Sequence, residues 1–210
     1  MTPAQTRTAL RAAILGGTYL PGERLVEAQL TAHFQTSRSA VRAALRDLAG
    51  EGLVVAEPHR GAHVRKVSLA EAIEITEVRM VLEGLVASRA AATVDDAGAA
   101  ELAEVGGLMR AAVEAGEFRR YSDLNQRLHA LIRRIAGHRT ADDLIGRLHG
   151  QLVRHQFMLS LLPGRPAVSL AQHEHVITAI LARDPAAAEA AMRAHIASVI
   201  DALHTLDGTP

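Results

Sequence analysis

The sequence predicts a mainly α-helical protein in two unlike segments: an N-terminal winged helix-turn-helix with a small β-hairpin, then an antiparallel six-helix bundle. Three observations lead there. Turn signals are dense up to about residue 67, where Gly16-Gly17, Pro21-Gly22, Gln35-Thr36 and Gly50 to Gly52 separate short amphipathic runs. After Ser68 the punctuation thins to single breaks between long helical runs. Strand-like sequence is confined to the stretch around Pro58-His59-Arg60-Gly61. The expected domains are therefore 1–67 and 68–210.

Taken in order, Gln5 to Leu15 is an amphipathic helix with Leu10 and Ile14 on its apolar side. Val26, Leu30 and Phe34 recur every fourth residue in a second helix. Ser37 stands where an N-cap belongs and opens a third, whose Val41, Ala44, Leu45 and Leu48 form an inward face. Two short helices across a tight turn make a helix-turn-helix. Leu53-Val54-Val55 and Ala62 to Val67 supply the hairpin. The second segment reads as helices at about 69–93, 96–116, 118–136, 140–162, 169–183 and 185–206. Its breaks fall at Asp95-Asp96, Gly116, Gly137-His138, Pro163-Gly164-Arg165-Pro166 and Asp184-Pro185. Pro185 suits a first helical turn, which has no use for its missing N–H, and Asp184 is placed to cap it. A bundle of this size has room for a ligand between its helices.

Composition narrows the function. With no cysteine, disulfides and thiolate metal sites are excluded. No apolar run approaches the roughly 20 residues a membrane span needs, and MTPAQTRTALR lacks the apolar core of a signal peptide, so a cytoplasmic protein with no membrane partner is expected. Net charge is zero, yet residues 1–66 hold nine basic against five acidic side chains, and 67–210 hold fourteen against eighteen. The front third thus has the charge for a polyanion.

The basic excess has a focus. Arg38, Arg42 and Arg46 follow at i, i+4 and i+8 along one stripe of the third helix, with Ser39 beside them. Alone, such a stripe is a solvated face. Here it begins at the N-terminus of the second helix of a helix-turn-helix and is followed by a hairpin carrying Arg60, Gly61, Arg65 and Lys66. A recognition helix enters the major groove N-terminus first, and arginine reads guanine through O6 and N7. Arg38 and Arg42 are the expected base readers; Arg46, Arg60 and Lys66 suit phosphates. Double-stranded operator DNA is the expected partner. One such helix reads only a few base pairs, so a homodimer on a near-palindromic site follows.

Eleven histidines are present, and three are not randomly placed. His173 lies eleven residues before Asp184 and His195 eleven after it. Across an antiparallel hairpin that spacing sets both at one level, about 16 Å from the turn at about 1.5 Å per residue. Asn125 and His129, at i and i+4, share a face of another helix. Imidazole nitrogens with an amide oxygen suit a divalent ion: zinc first, with nickel, manganese or iron also possible by donor type. Hydrogen bonding in a bundle core is the competing use of the same residues.

At these residues the chain resembles a known family. LPGERLVEAQL, then SRSAVRAALRDLAGEGLV, then a wing with Gly61 and Val64 is similar to the winged-helix domain of GntR transcription regulators. The resemblance implies that Arg38 and Arg42 touch operator bases and that the wing around Gly61 lies against the minor groove. Gln35 departs from the usual glycine of the turn and must accept a left-handed backbone or a different turn. Residues 69–206 resemble the FCD effector-binding domain of the FadR subfamily, with a helix count closer to its VanR-like branch. RMVLEGLVASRAA, NQRLHALI and the two later histidines carry that likeness. It implies Asn125, His129, His173 and His195 as ligands of a divalent metal beneath a pocket for small carboxylates, with Asn125 replacing an aspartate and Leu128 an aromatic residue. It also implies that Arg79 faces the effector, while an intrahelical pair with Glu83 is the other use open to it. Arg154 is a second candidate for the effector. The expected function is a DNA-binding regulator, a repressor, responsive to a small organic acid. The alternative is a metal-dependent hydrolase or lyase with a basic scaffold domain, against which stands the lack of an H-E-x-x-H motif.

Overall fold

A computed structural model describes residues 1–57, 61–152, 155, 158–159 and 162–206. Arg60 and Arg154, both expected site residues, lie outside the described residues. The chain forms two compact units, Met1–Ser68 and the helical part that follows from Leu69. A short segment beginning at His149, expected within the bundle, groups with the first unit.

In the first unit α1 (Pro3–Leu15) starts two residues before the expected Gln5. Its start is fixed by a capping box: the Gln5 N–H donates to Thr2 Oγ1 at 3.2 Å, and the Thr2 N–H to Gln5 Oε1 at 2.9 Å. The pair α2 (Glu27–His33) and α3 (Arg38–Gly50) is the expected helix-turn-helix. The Ser37 hydroxyl caps α3, accepting from the Ala40 N–H at 3.2 Å. Between the helices Gln35 takes φ 48°, the left-handed backbone that was one of its two alternatives. The hairpin is β2 (Val54–Glu57) and β3 (Gly61–Val64), and a two-residue strand β1 (Arg24–Leu25) completes an antiparallel sheet of order β1-β3-β2. That third strand was not expected, because two residues cannot display an alternation. Just before it Gly22 has φ 84°, and a Cβ there would come within 2.1 Å of the Lys66 side chain. Leu10, Leu30, Val41 and Leu48 are fully buried between helices and sheet, each stabilising the unit by roughly 1.5–3 kcal/mol.

The second unit holds α4 (Leu69–Thr93), α5 (Asp96–Glu114), α6 (Phe118–Ala136), α7 (Arg139–Gln151) as far as Leu148, α8 (Arg165–Leu181) and α9 (Pro185–Leu206). Two bounds differ from expectation. The helix expected over 140–162 ends at Gln151, and α8 begins at Arg165, four residues before the expected 169. Pro166, which reads as a breaker, occupies the first turn of α8, where no N–H is missed. The α8–α9 hairpin turns where expected, and Asp184 Oδ1 accepts from the Ala187 N–H at 3.0 Å. Helix α9 runs along α4 and α8, while α6 packs on α4 and α5. Ala87, Ala90 and Ala91 are fully buried on α4, and the core between the helices is filled by Leu102, Met109, Leu128, Ile132, Ile180, Met192 and Ile196. Among the described residues no helix is long and apolar enough to cross a membrane.

Candidate functional site

Three histidines from three helices meet inside the second unit. His173 Nε2 on α8 is 3.1 Å from His195 Nε2 on α9 and 3.3 Å from His129 Nε2 on α6. All three side chains are buried, His173 to 1% exposure. The equal spacing of His173 and His195 about the turn does set them at one level.

Every outward nitrogen of the cluster has a partner. His129 Nδ1 lies 2.8 Å from Glu83 Oε2, His195 Nδ1 3.0 Å from Gln172 Oε1 and His173 Nδ1 3.1 Å from the Tyr121 hydroxyl. A carboxylate or amide oxygen only accepts, so the protons of His129 and His195 sit on Nδ1 and their Nε2 lone pairs face inward. Two such lone pairs flanking His173 Nε2 at 3.1–3.3 Å need a positive centre between them: either a proton on His173 Nε2 or a cation in its place. Burial, reinforced by the neighbouring imidazoles, pushes His173 well below the usual histidine value, and burial with His129 takes His195 down to about 3. Neutral imidazoles are the form that binds metal.

Asn125, one turn before His129 on α6, adds an independent sign. Its Oδ1 is buried and accepts no hydrogen bond among the described residues. Leaving a carbonyl oxygen so costs about 1–3 kcal/mol unless something else satisfies it. Three imidazole nitrogens that can close on one point, with a free amide oxygen on the same helix face, fit a divalent ion. Their outward bonds to Glu83, Gln172 and Tyr121 fix the rings for that role.

Of the two uses open to Arg79, the structure contains the ion pair. Its Nε and Nη2 donate to Glu83 Oε1 at 3.0 and 2.7 Å, and both residues are buried. Arg79 therefore holds Glu83, which holds His129, and its charge is already balanced.

The arginine face of α3 is the opposite kind of place. Arg38, Ser39, Arg42 and Arg46 are all exposed. Ser39 Oγ shares a hydrogen bond with Ser37 Oγ at 2.9 Å. Arg42 Nε donates to both carboxylate oxygens of Glu27 at 2.9 Å, while Arg38 and Arg46 make no ion pair among the described residues. Gly61 opens β3 with φ 88°.

Two residues of the histidine centre were missed from the sequence: Tyr121 and Gln172. One of them left a signal. Tyr121, Asn125 and His129 stand at i, i+4 and i+8, so α6 carries one polar stripe.

The pattern of bacterial regulatory proteins of the gntR family matches residues 3–64, and that of the FCD domain matches residues 74–198. The HTH-type transcriptional repressor RspR of Escherichia coli K12 is 29% identical over 197 residues, spanning 94% of this chain and 86% of that protein. An HTH-type transcriptional regulator from an unstable DNA locus of Streptomyces ambofaciens is 30% identical over 192 residues, 91% of this chain and 80% of its own. In fold the chain is similar to the solved structure of E. coli McbR/YncC, with a TM-score of 0.82, 20% identity and 98% of both chains covered. With a helix-turn-helix pattern at one end and an FCD pattern over more than half its length, the chain belongs to the GntR family of bacterial transcription regulators: a DNA-binding regulator and not an enzyme.

Proposed function

We propose that this chain is a cytoplasmic, homodimeric repressor that releases a near-palindromic operator in response to a small organic acid. In this reading Arg38 and Arg42 contact base edges, Ser39, Arg46 and Arg60 contact backbone, and Gly61 lets the wing approach the minor groove. The first unit is the DNA-binding domain and the second the effector-binding and dimerisation domain. Asn125, His129, His173 and His195 hold a divalent ion, zinc by the preference of a nitrogen-rich set. When bound, that ion supplies a Lewis-acidic positive charge to which a carboxylate can be drawn. The chain's own part is to keep three imidazoles buried and aimed, through Glu83, Gln172 and Tyr121.

The single observation that carries the sensor reading is the convergence of three Nε2 atoms whose Nδ1 partners all lie outward. A histidine cluster serving only as core filling has no need of that polarity. Repression follows the name of the relative RspR. A ligand respaces the DNA-binding units only if it binds one arrangement better than the other.

The test is elemental analysis of purified protein, then titration of zinc into wild type and His195→Ala. Stoichiometric metal is expected, with a loss in the variant beyond the roughly 10–100-fold caused by removing an outer partner. Equal affinity in both proteins would end the metal reading. Gel shift on genomic fragments, with and without candidate acids, tests the regulatory half.

A further inference from the structure

Helix α4 has an apolar outer face that stays uncovered among the described residues. Val78 and Val81 are each 52% exposed and Leu85 41%, at i, i+3 and i+7. On the other side of the same helix Ala87, Ala90 and Ala91 are fully buried, so α4 is apolar both toward the core and away from it. An exposed apolar residue standing singly is ordinary, as Phe118 is on α6 and Leu144 on α7. Three on one stripe in this rhythm form the seam by which one helix packs on another.

The stripe is bounded by charge. Glu74 lies one turn before Val78 and Arg89 one turn after Leu85, and at about 100° per residue all five fall within an arc of about 80°. Glu74 and Arg89 are exposed, and neither makes an ion pair among the described residues. Arg79 and Glu83 of the same helix, by contrast, are closed on each other and buried. Along one flank Gly84 seats α9: a Cβ there would come within 2.8 Å of Arg193 Cγ, and Arg193 pairs with Glu189 at 3.5 Å. An apolar centre inside a charged rim is the anatomy of an interface.

The order of the charges selects the occupant. Residues 74 and 89 have the same midpoint as residues 78 and 85, between Val81 and Leu82. A second α4 laid antiparallel on the first, about a two-fold axis at that point, covers the two valines and the leucine with their own copies and sets Glu74 of each chain level with Arg89 of the other. A parallel pairing would bring Glu74 beside Glu74 and Arg89 beside Arg89, which repel.

We propose that the outer face of α4 is a self-association surface, packed antiparallel on the α4 of a second copy of this chain, with Val78, Val81 and Leu85 at its centre and a Glu74–Arg89 ion pair at each end. The inference rests on the homodimer reading given above and supplies the face and the register of that dimer.

The experiment follows the full chain by sedimentation over a dilution series. Wild type is expected to be a dimer. Val81→Glu, which sets a carboxylate at the axis against its own copy, should shift the chain to monomer with its helix content by circular dichroism unchanged. Glu74→Arg and Arg89→Glu should each weaken the dimer by roughly 10–100-fold, because each turns two attractions into two repulsions. The two reversals in one chain should bring it back to within about threefold of wild type. These reversals, at exposed positions, carry the test if Val81→Glu does not fold. A wild-type dimer that none of the substitutions weakens overturns the α4 assignment and leaves the homodimer reading intact. Single reversals that weaken the dimer without restoration in the double variant overturn the antiparallel register. If wild type is a monomer throughout the series, the homodimer reading fails and this inference falls with it.

Discussion

The α3 face and the histidine centre are both built from three like residues, yet they obey opposite rules. On α3 the arginines are exposed, and their one ion pair among the described residues, Arg42 with Glu27, is 66% exposed on the arginine side. Such a pair contributes about 0–1 kcal/mol. In the histidine centre the side chains are buried, and one chain of hydrogen bonds runs from Arg79 through Glu83 and His129 to His173 and Tyr121. The lesson concerns additivity. Exposed charges act nearly one by one, whereas a buried chain of hydrogen bonds fails as a unit when one member is removed.

That contrast can be broken most sharply at Glu83. Glu83→Ala leaves Arg79 buried without its counter-charge and His129 Nδ1–H without its acceptor, so an unfolding loss of about 3–5 kcal/mol is expected in urea titrations. Zinc affinity measured against a competing chelator should fall roughly 10–100-fold in the same variant. A stability change below about 1 kcal/mol would mean the centre is not the connected network described. On α3 the matching experiment is Arg42→Ala, expected to cost about 1–3 kcal/mol of binding to a preferred duplex over a scrambled one, read by fluorescence anisotropy. Arg46→Ala should instead weaken all duplexes alike and lower the salt slope by about 1. Equal effects from the two substitutions would erase the distinction between base reader and phosphate contact.

Acid should separate the two regions further. His195 is held near 3 in the folded, metal-free chain and returns to about 6.5 when unfolded, so between those values the unfolded state binds the extra proton. Stability is therefore full above about pH 6.5 and declines as pH falls, by up to about 1.4 kcal/mol per unit for each such histidine. His173 shifts in the same direction. Chelator-treated protein melted from pH 8 to 4 checks this, with His195→Ala expected to flatten the slope. The smallest effect is Ser37→Ala, which removes only a cap and should lower stability by about 1 kcal/mol, visible as a few degrees in Tm.

Much of this was legible in the sequence for identifiable reasons. Ser37, Gln35 and Asp184 act through their immediate neighbours, and local chemistry is what a sequence displays. The His173–His195 pairing was readable because a tight turn converts equal spacing into equal height. What was hidden depended on long-range contact or on rules with exceptions. β1 exists only because β3 offers it a partner. The start of α8 at Arg165 was lost because Pro163, Gly164 and Pro166 around it spell a turn, although a proline is welcome in a first helical turn. Gln172 was invisible because nothing in its own segment says that it faces His195.

The grip of Glu27 on Arg42 also bears on how the protein spends its time on a chromosome. A side chain already satisfied at home gains little by exchanging its carboxylate for an arbitrary phosphate, since both are anionic acceptors of similar kind. Guanine, with two acceptors on one rigid edge, is a different offer. With Arg42 as the base reader proposed above, Glu27 would act as a resident competitor that shortens stops at wrong sequences and leaves the preferred one less affected, so removing it should make the regulator bind DNA more broadly.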